Sequence, residues 1–351
     1  MIPRPLFGSL FLVLLLTWPR QAPSLVFKHA HIMATQLSIT SRDPHANMPI
    51  LGLGTWRSDK GKVKDAVVEA LRLGYIHVDA AQVYENQCEV GEGLHEARAK
   101  GYIKEMNDVW ITSKLWNTDH HPDAVRPACD RILRELKLPK IQQLLIHWPT
   151  AFQKVKGEEN LWPKDAQGRH LSDPNGDNKA VWKEMEKLVD AGLVETIGLS
   201  NFNEQEVQEI LDVARIKPVC VQIECHPYLP QDEMRAFLHS QGIALCAYSP
   251  LANLDPNDAS KPCALRDPVI ERLARKHGKS PAQVILRWHA QKKNVVIPKS
   301  VTLSRIAENA GIYDFELSEE DMALIAGMGK THRVRLVNPG FRPGGQPVFS
   351  Q

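Results

Sequence analysis

Short apolar runs alternate with longer amphipathic stretches along most of this 351-residue chain. The short runs are rich in β-branched residues and predict eight strands, at residues 51–56, 76–80, 109–114, 143–147, 196–201, 220–224, 244–249 and 295–300. The longer stretches repeat apolar residues at spacings of three and four and predict helices, among them residues 62–73, 122–136, 183–191, 204–213 and 231–241. Eight strands that alternate with helices predict a parallel (β/α)8 TIM barrel.

Other segments fall outside that alternation. Residues 36–49 alternate in polarity before an Asp-Pro-His-Ala-Asn turn, which predicts a β-hairpin that closes the barrel floor. Residues 149–178 and 251–267 are too long for simple βα connections, and long loops at a barrel mouth usually shape a pocket. The tail at 334–351 has no helical period, so it either lies over the mouth or is disordered.

The carboxyl ends of barrel strands carry side chains to the mouth, where barrel active sites lie. The predicted strand ends carry polar or aromatic residues, namely Trp56, Asp79, Lys114, His147, Ser200, Asn201, Gln222, Tyr248, Ser249, Lys299 and Ser300. We therefore expect these side chains to converge and to carry the function.

Composition narrows the class of protein. Lys and Arg number 43, Asp and Glu number 41, and 43% of residues are hydrophobic, a balance that excludes disordered and multi-span membrane chains. The net charge of +2 comes without a run of like charges and gives no sign of a nucleic-acid partner. We expect a small-molecule ligand, no membrane contact of the folded part, and a single domain over residues 33–351.

The cysteine content and the N-terminal segment point to different cellular compartments. The 6 cysteines are too sparse for a disulfide framework, and Cys220, Cys225 and His226 match no zinc spacing, so we expect buried thiols, no metal and a cytoplasmic location. However, an apolar run at 6–18 follows Arg4, as in a signal peptide or short anchor. The chain lacks an Asn-x-Ser/Thr sequon, and Met33 offers an alternative start. We interpret residues 1–32 as a signal or leader segment, or else a non-native N-terminal extension, outside the fold. The secretory pathway is the alternative location if that run is a genuine signal peptide.

Asp79, Lys114 and His147 end three successive predicted strands, and Tyr84 follows Asp79 closely. A tyrosine has an ordinary pKa of ~10, and a neighbouring ammonium held by a carboxylate should lower it toward working pH. His147 could then orient a carbonyl group by hydrogen bonding. Each residue alone is more often structural, as a salt bridge or a packed ring. Together, at matching strand ends, they predict a proton-transfer site.

Lys299, Ser300 and Arg305 lie at the end of the last strand and the start of the next helix, where barrels commonly bind phosphate. Their spacing also fits a solvated pair beside a short helix. Gly52 and Gly54 form a lone GxG without the rest of a dinucleotide fingerprint, so a Rossmann domain is not supported.

Several long motifs, in order along residues 37–335, resemble the aldo-keto reductase family of the aldose and aldehyde reductase type. They read MPILGLGTW from Met48, GYIHVDAAQVYENQCEVGEGL from Gly74, ITSKLW from Ile111, LLIHWP from Leu144, GLSNF from Gly198, QIECHPYL from Gln222, AYSPL from Ala247 and IPKSVTLSRIAEN from Ile297. The resemblance implies NADPH-dependent reduction of a carbonyl to an alcohol, without metal or flavin. It also implies a monomer.

The resemblance assigns roles by position in these motifs. Asp79, Tyr84, Lys114 and His147 correspond to the catalytic tetrad, with Tyr84 as general acid. Ser200, Asn201 and Gln222 correspond to carboxamide contacts and Tyr248 to the ring that stacks on nicotinamide. The positions that contact the adenosine 2'-phosphate and adenine are Lys299, Ser300, Arg305 and Asn309. Further cofactor contacts are implied at Thr55, Trp56, Asp79, Ser249 and Leu251, and substrate contacts at Trp56, Tyr84, Trp116, His147 and Trp148.

The substrate stays open. The loop after Pro250 carries no tryptophan, unlike aldose reductase, and the tail after Arg335 is rich in Gly and Pro and has no cysteine. We expect reduction of aldehydes and some ketones. One alternative is a barrel that binds NADPH as a structural or regulatory subunit without significant turnover. Another is a barrel enzyme acting on a phosphate substrate, which would explain Lys299 and Arg305 but give Tyr84 no task.

Overall fold

The computed structural model describes residues 36–38, 47–154, 160–252 and 262–349, with the backbone alone at 36–38, 47 and 344. The leader proposed at residues 1–32 lies outside this part of the chain, as do the hairpin turn and portions of both long loops. Within the described ranges, no helix is long and apolar enough to cross a membrane.

Ten strands build two sheets within these ranges. A two-stranded sheet comes first, in which β1 (Gln36–Ser38) pairs antiparallel with β2 (Asn47–Pro49). The larger sheet contains β3 (Leu53–Gly54), β4 (His77–Asp79), β5 (Trp110–Leu115), β6 (Ile141–Ile146), β7 (Val194–Ser200), β8 (Cys220–Glu224), β9 (Ala244–Tyr248) and β10 (Val295–Val296). Its strands are parallel and each pairs with its neighbour in the chain.

The first and last strands join and close this sheet. Parallel bridges connect Leu51 with Val296 and Gly54 with Lys299. The Gly54 N–H donates to the Pro298 carbonyl at 3.1 Å. A Cβ at position 54 would lie 2.6 Å from the Ile297 carbonyl oxygen, so only glycine allows this close approach. The chain therefore has the predicted (β/α)8 barrel.

Helices connect the strands on the outside. They are α1 (Val63–Arg72), α2 (Gln87–Ala99), α3 (Pro122–Leu136), α4 (Asn178–Asp190), α5 (Glu204–Leu211), α6 (Asp232–Ser240), α7 (Pro268–His277), α8 (Pro281–Gln291), α9 (Leu303–Ala310) and α10 (Glu319–Thr331). Helix α3 has the predicted bounds. Helix α4 begins earlier than predicted because the Asp177 side chain caps it, accepting from the N–H groups of Lys179 and Ala180.

The last barrel strand is shorter than predicted because a proline interrupts it. Strand β8 has the predicted bounds, but β10 ends at Val296 instead of residue 300. Pro298 has no N–H to donate and cannot continue the ladder. The segment after it still runs beside the first strand through the bridge between Gly54 and Lys299.

The hairpin covers the floor of the barrel. Met48 of β2 is fully buried. Its apolar cluster includes the first residues of four barrel strands, Trp110, Cys220, Ala244 and Val295. Because strands begin at the floor of the barrel, this contact places the hairpin where the sequence predicted it.

The tail lies across the opposite end, the mouth. The N–H groups of Leu336 and Val337 donate to the two carboxylate oxygens of Glu224, at 2.6 and 2.8 Å. Glu224 ends β8 and is completely buried. The Ser172 hydroxyl donates to the Phe341 carbonyl and so joins the tail to the loop after β6. The tail was predicted either to lie over the mouth or to be disordered, and the structure shows residues 334–349 over the mouth.

Candidate active site

Asp79, Lys114 and Tyr84 meet at the barrel mouth. Asp79 ends β4, Lys114 lies near the end of β5, and Tyr84 lies in a single 3-10 turn, Gln82–Tyr84. The Lys114 Nζ lies 2.7 and 2.8 Å from the two Asp79 carboxylate oxygens, 2.9 Å from the Ala80 carbonyl oxygen and 3.2 Å from the Tyr84 hydroxyl oxygen. Lys114 is fully buried, so this ammonium has its charge neutralised by Asp79 and its protons committed to named acceptors.

The pKa of Tyr84 moves in the opposite direction to the one predicted from sequence. Burial raises this pKa well above its usual value, and the negative charge of Asp79 raises it further. The prediction weighed the ammonium of Lys114 and left out the desolvation of the phenol, which is the larger effect. The prediction of a lowered pKa is therefore wrong. The consequence is that Tyr84 holds its proton through neutral pH, as a proton donor must.

His147 lies beside Tyr84, with the two ring centroids 5.8 Å apart. Burial lowers the pKa of His147 well below its usual value, and the positive charge of Lys114 adds to the effect. The imidazole is therefore neutral at pH 7. Its backbone carbonyl accepts a hydrogen bond from Asn201 Nδ2 at 2.8 Å, which fixes the end of β6 against that of β7. A neutral imidazole can donate one hydrogen bond to a carbonyl oxygen without adding a charge.

A cavity of about 920 Å³ opens above these residues. We call one side of it the polar end, formed by Ser200, Asn201, Gln222, Tyr248, Ser249, Lys299, Ser300, Arg305 and Asn309. We call the other side the aromatic end, formed by Trp116, Trp148, Trp162, His170, Val337, Pro339 and Phe341. Asp79, Tyr84 and His147 line the cavity between the two ends. Its volume suits an extended small molecule.

The amide and hydroxyl groups of the polar end hold one another in place. Gln222 Nε2 donates to Asp79 at 2.8 Å, and the Tyr248 hydroxyl donates to Asn201 Oδ1 at 2.8 Å. Asn201 Nδ2 also lies 3.1 Å from the Ser200 hydroxyl oxygen. Parallel register sets Ser200 directly beside Gln222. This arrangement presents preoriented donors and acceptors to a flat, amide-bearing ligand.

The cationic part of the polar end fits an anion. Lys299 follows β10, and Arg305 lies in the first turn of α9. Burial lowers the pKa of Lys299, and the positive charge of Arg57 lowers it further while Asp59 opposes this. Across the described ranges, neither Lys299 nor Arg305 forms an ion pair with a carboxylate. Two such cations at a helix start, next to Ser300, have the chemistry of a phosphate site.

Edge-to-face ring contacts build the aromatic end. Trp116 contacts Trp162 with ring centroids 4.7 Å apart, and Trp148 contacts Phe341 at 5.1 Å. The indole N–H of Trp116 donates to the Leu161 carbonyl at 2.6 Å, which ties the loop after β6 to β5. Trp56 lies at the rim with 37% of its surface exposed. The result is a narrow apolar slot that leads away from Tyr84.

Nearly all residues predicted from sequence line this cavity. The exceptions are Thr55 and Lys114, which are buried behind its wall, where the Thr55 hydroxyl donates to the Asp79 carbonyl at 2.8 Å. Sequence reasoning missed Trp162, His170 and Phe341. The sequence shows that a long mouth loop and the tail contain aromatic residues, but it does not show where these residues lie. Among the residues that the structure describes, no group of three or more His, Cys, Asp or Glu residues is arranged to hold a metal ion.

Comparison with known protein sequences gives matches over most of the chain. A model of the aldo/keto reductase family matches residues 50–330. The chain is similar to aldo-keto reductase family 1 member A1 of Gallus gallus, with 45% identity over 303 residues, which cover 86% of this chain and 91% of that protein. The protein of the same name in Homo sapiens is 44% identical over 288 residues, covering 82% of this chain and 87% of its own length.

Solved structures give the same pattern. The aldose reductase of Schistosoma japonicum superposes with a TM-score of 0.79 at 40% identity and covers 86% of this chain and 94% of its own. The aldose reductase of Giardia lamblia has a TM-score of 0.79 at 36% identity, with coverage of 86% and 98%.

Proposed function

We propose that this chain, which belongs to the aldo/keto reductase family, reduces aldehydes and some ketones to alcohols with NADPH as the hydride donor. Reduction of small carbonyl compounds is the activity that the family supports. The observation that carries the finer proposal is the contact of the Lys114 ammonium with both Tyr84 and Asp79 at the cavity wall. The part of that contact with a chemical task in catalysis is the approach of the ammonium to the Tyr84 hydroxyl.

Tyr84 acts as the general acid in this proposal. When bound, NADPH supplies the hydride that adds to the carbonyl carbon. The Tyr84 hydroxyl gives its proton to the carbonyl oxygen, and the resulting phenolate is stabilised by the Lys114 ammonium 3.2 Å away. Asp79 orients the Lys114 ammonium through both of its carboxylate oxygens. His147 donates a hydrogen bond that positions the carbonyl oxygen beside Tyr84.

The polar end fits the cofactor. Ser200, Asn201 and Gln222 would hold the carboxamide, and the ring of Tyr248 would stack on the nicotinamide. The 2'-phosphate would lie against Lys299, Ser300 and Arg305, which have no carboxylate partner in the described chain and so favour NADPH over NADH. Asn309 would contact the adenine, and the remaining contacts would come from Trp56, Asp79, Ser249 and Leu251. Thr55 would act from behind the wall, through its hydrogen bond to the Asp79 carbonyl. Trp56, Trp116 and Trp148 would then enclose the carbonyl substrate.

Consumption of NADPH by the purified protein tests this function. The substrates are aromatic aldehydes, aldoses and ketones, and the decrease in NADPH absorbance reports turnover. Tyr84→Phe is the matched control, because it removes one hydroxyl and keeps the ring. We expect the variant to bind NADPH nearly as well and to lose most of the turnover, by roughly 100-fold or more. Equal rates in both proteins would reject Tyr84 as the acid.

A regulatory or structural subunit that binds NADPH is the second candidate. It would give tight NADPH binding with no turnover across the panel. The complete Asp79, Lys114 and Tyr84 contact speaks against it, because a chain without catalysis has no chemical need for a buried lysine beside a buried tyrosine.

A further inference from the structure

His170 is a hydrogen-bonding side chain of the aromatic end that the proposed reaction does not use. Its ring stacks on Phe152 with centroids 5.2 Å apart and planes 7° from parallel. It also meets Phe341 edge-on at 5.2 Å and Trp162 at 5.6 Å. Three rings therefore fix the imidazole in one position at the cavity wall.

The ring nitrogens of His170 have few partners in the protein. Nδ1 is buried without a partner at ordinary hydrogen-bond distance, and the Pro163 backbone carbonyl is the acceptor that interacts with the ring. We assign Nε2 to a molecule in the cavity. Burial lowers the pKa of His170, and the exposed Lys164 lowers it further, while the Pro163 carbonyl opposes this. The imidazole is neutral at pH 7 and brings no charge to a ligand.

Charge is confined to other parts of the cavity. Among its described lining residues, the charged ones are Arg57, Asp79, Lys299, Arg305 and Glu308. Arg57 acts on Lys299 and so lies on that side. None of the residues that define the aromatic end carries a charge. The Lys164 ammonium acts on His170, but Lys164 is exposed, so solvent screens its attraction for a carboxylate. A carboxylate placed at the aromatic end would lose its water for little counter-charge, whereas a hydroxyl could hydrogen-bond to His170.

The position of His170 sets the shape of the ligand. Ring contacts lead from Tyr84 through His147 and Trp116 to Trp162 and then to His170, in steps of 5.8, 5.1, 4.7 and 5.6 Å. A ligand that has its carbonyl at Tyr84 and follows this row of rings to His170 is extended. The aromatic walls favour a flat ring in the middle of such a molecule.

We propose that His170 is a specificity-determining residue that selects extended, uncharged aryl aldehydes with a hydroxyl group at the end remote from the carbonyl, and that the aromatic end rejects carboxylates at the same place. This inference rests on the proposed function, because it assumes that the carbonyl lies at Tyr84. It concerns the choice of substrate and is independent of how the proton is delivered.

Three series of para-substituted benzaldehydes test the proposal, with alkyl chains of increasing length that end in a methyl, a hydroxyl or a carboxylate group. The quantity compared is the ratio of kcat/KM values within each protein, so general changes in turnover cancel. In the wild-type protein we expect the best hydroxyl compound to exceed its carboxylate analogue on the order of 100-fold. His170→Phe keeps the stack on Phe152 and should lower the hydroxyl-to-methyl ratio ~3- to 10-fold. His170→Lys should raise the carboxylate series.

His95→Phe is the matched control, since His95 is exposed on α2 away from the cavity, and its ratios should equal those of the wild-type protein. Dissociation constants of the corresponding benzyl alcohols, measured by quenching of tryptophan fluorescence, test the preference without turnover. The same binding preference with no reduction of any aldehyde would reject the proposed function and support the role of His170. An unchanged hydroxyl-to-methyl ratio in His170→Phe, or a carboxylate series as good as the hydroxyl series, would overturn the role of His170.

Discussion

The Lys114 ammonium lies 3.2 Å from the Tyr84 hydroxyl oxygen while it holds both carboxylate oxygens of Asp79. The Lys114 side chain is fully buried, and that of Asp79 is 2% exposed. The pair therefore serves two purposes that can be separated. It neutralises two buried charges, and it places a cation where a phenolate would form.

Lys114→Met should impair both stability and turnover. The buried Asp79 loses its counter-charge, which should cost about 3–5 kcal/mol in the free energy of unfolding. Turnover should fall on the order of 100-fold or more, because the phenolate of Tyr84 loses its cation. Denaturant unfolding and NADPH-coupled turnover measure the two effects. The double variant Asp79→Asn/Lys114→Met should recover most of the stability and none of the turnover. Recovery of turnover would contradict the role given to Lys114.

The rate of carbonyl reduction should be insensitive to pH in the neutral range. Burial raises the pKa of Tyr84 well above its usual value, so the acid form that would donate the proton in the proposed reaction persists through neutral pH. The rate should therefore decline only as the pH rises into the alkaline range, where Tyr84 begins to lose its proton. A profile of kcat against pH checks this expectation. A decline centred near neutral pH would show that the pKa of Tyr84 is lowered in the complex.

Arg305→Ala should weaken the binding of NADPH much more than the binding of NADH. A charged hydrogen bond to the 2'-phosphate contributes roughly 10- to 100-fold in affinity, and NADH has no such phosphate. We expect the dissociation constant of NADPH to rise by about that factor and that of NADH to change little. Arg272→Ala, at an exposed position of α7, is the control. An equal loss for both cofactors would reject the assignment of the 2'-phosphate.

Acid should destabilise the fold through histidines buried in the neutral form. Burial lowers the pKa of His77 to about 4 and that of His120 to about 4. The unfolded chain takes up these protons below its ordinary pKa of ~6.5, so the free energy of unfolding should fall as pH decreases from there to about 4. Each group would contribute at most roughly 3 kcal/mol over that window. In His77→Gln, the stability lost between these pH values should be smaller by one such contribution. An identical pH dependence in both proteins would refute this.

Glu224→Gln should loosen the tail. The carboxylate accepts from the N–H groups of Leu336 and Val337 and lies 2.8 Å from His226 Nε2, and an amide offers one acceptor in place of two. The tail should become more sensitive to limited proteolysis, and KM for aryl aldehydes should rise severalfold with a smaller change in kcat. Glu233→Gln, at an exposed site on α6, is the control. A tail that resists proteolysis as before would contradict the anchoring role of Glu224.

The sequence was most informative where regular structure fixes position. Asp79, Lys114 and His147 could be placed together because parallel strands of a barrel end at the same rim. Trp162 and His170 could not be placed, because a long loop takes its path from contacts distant in sequence. One such contact is the bond from Ser172 to the Phe341 carbonyl. The pKa of Tyr84 was mistaken for a related reason. Burial is decided by how the whole mouth packs, whereas charged neighbours can be inferred from motifs.

The loop at residues 149–178 and the tail are joined by the hydrogen bond from the Ser172 hydroxyl to the Phe341 carbonyl. The tail is also bonded to the barrel at Glu224. The groups proposed to react belong to strand ends and to the turn after β4, and the walls proposed to select the substrate belong to this loop and to the tail. The two wall segments can therefore be exchanged while the strand ends stay the same. A chimera that exchanges residues 149–178 and 334–351 together should acquire a different range of substrates and keep the same chemistry. Exchange of one segment alone would set a new segment against the old partner of the hydrogen bond between Ser172 and Phe341.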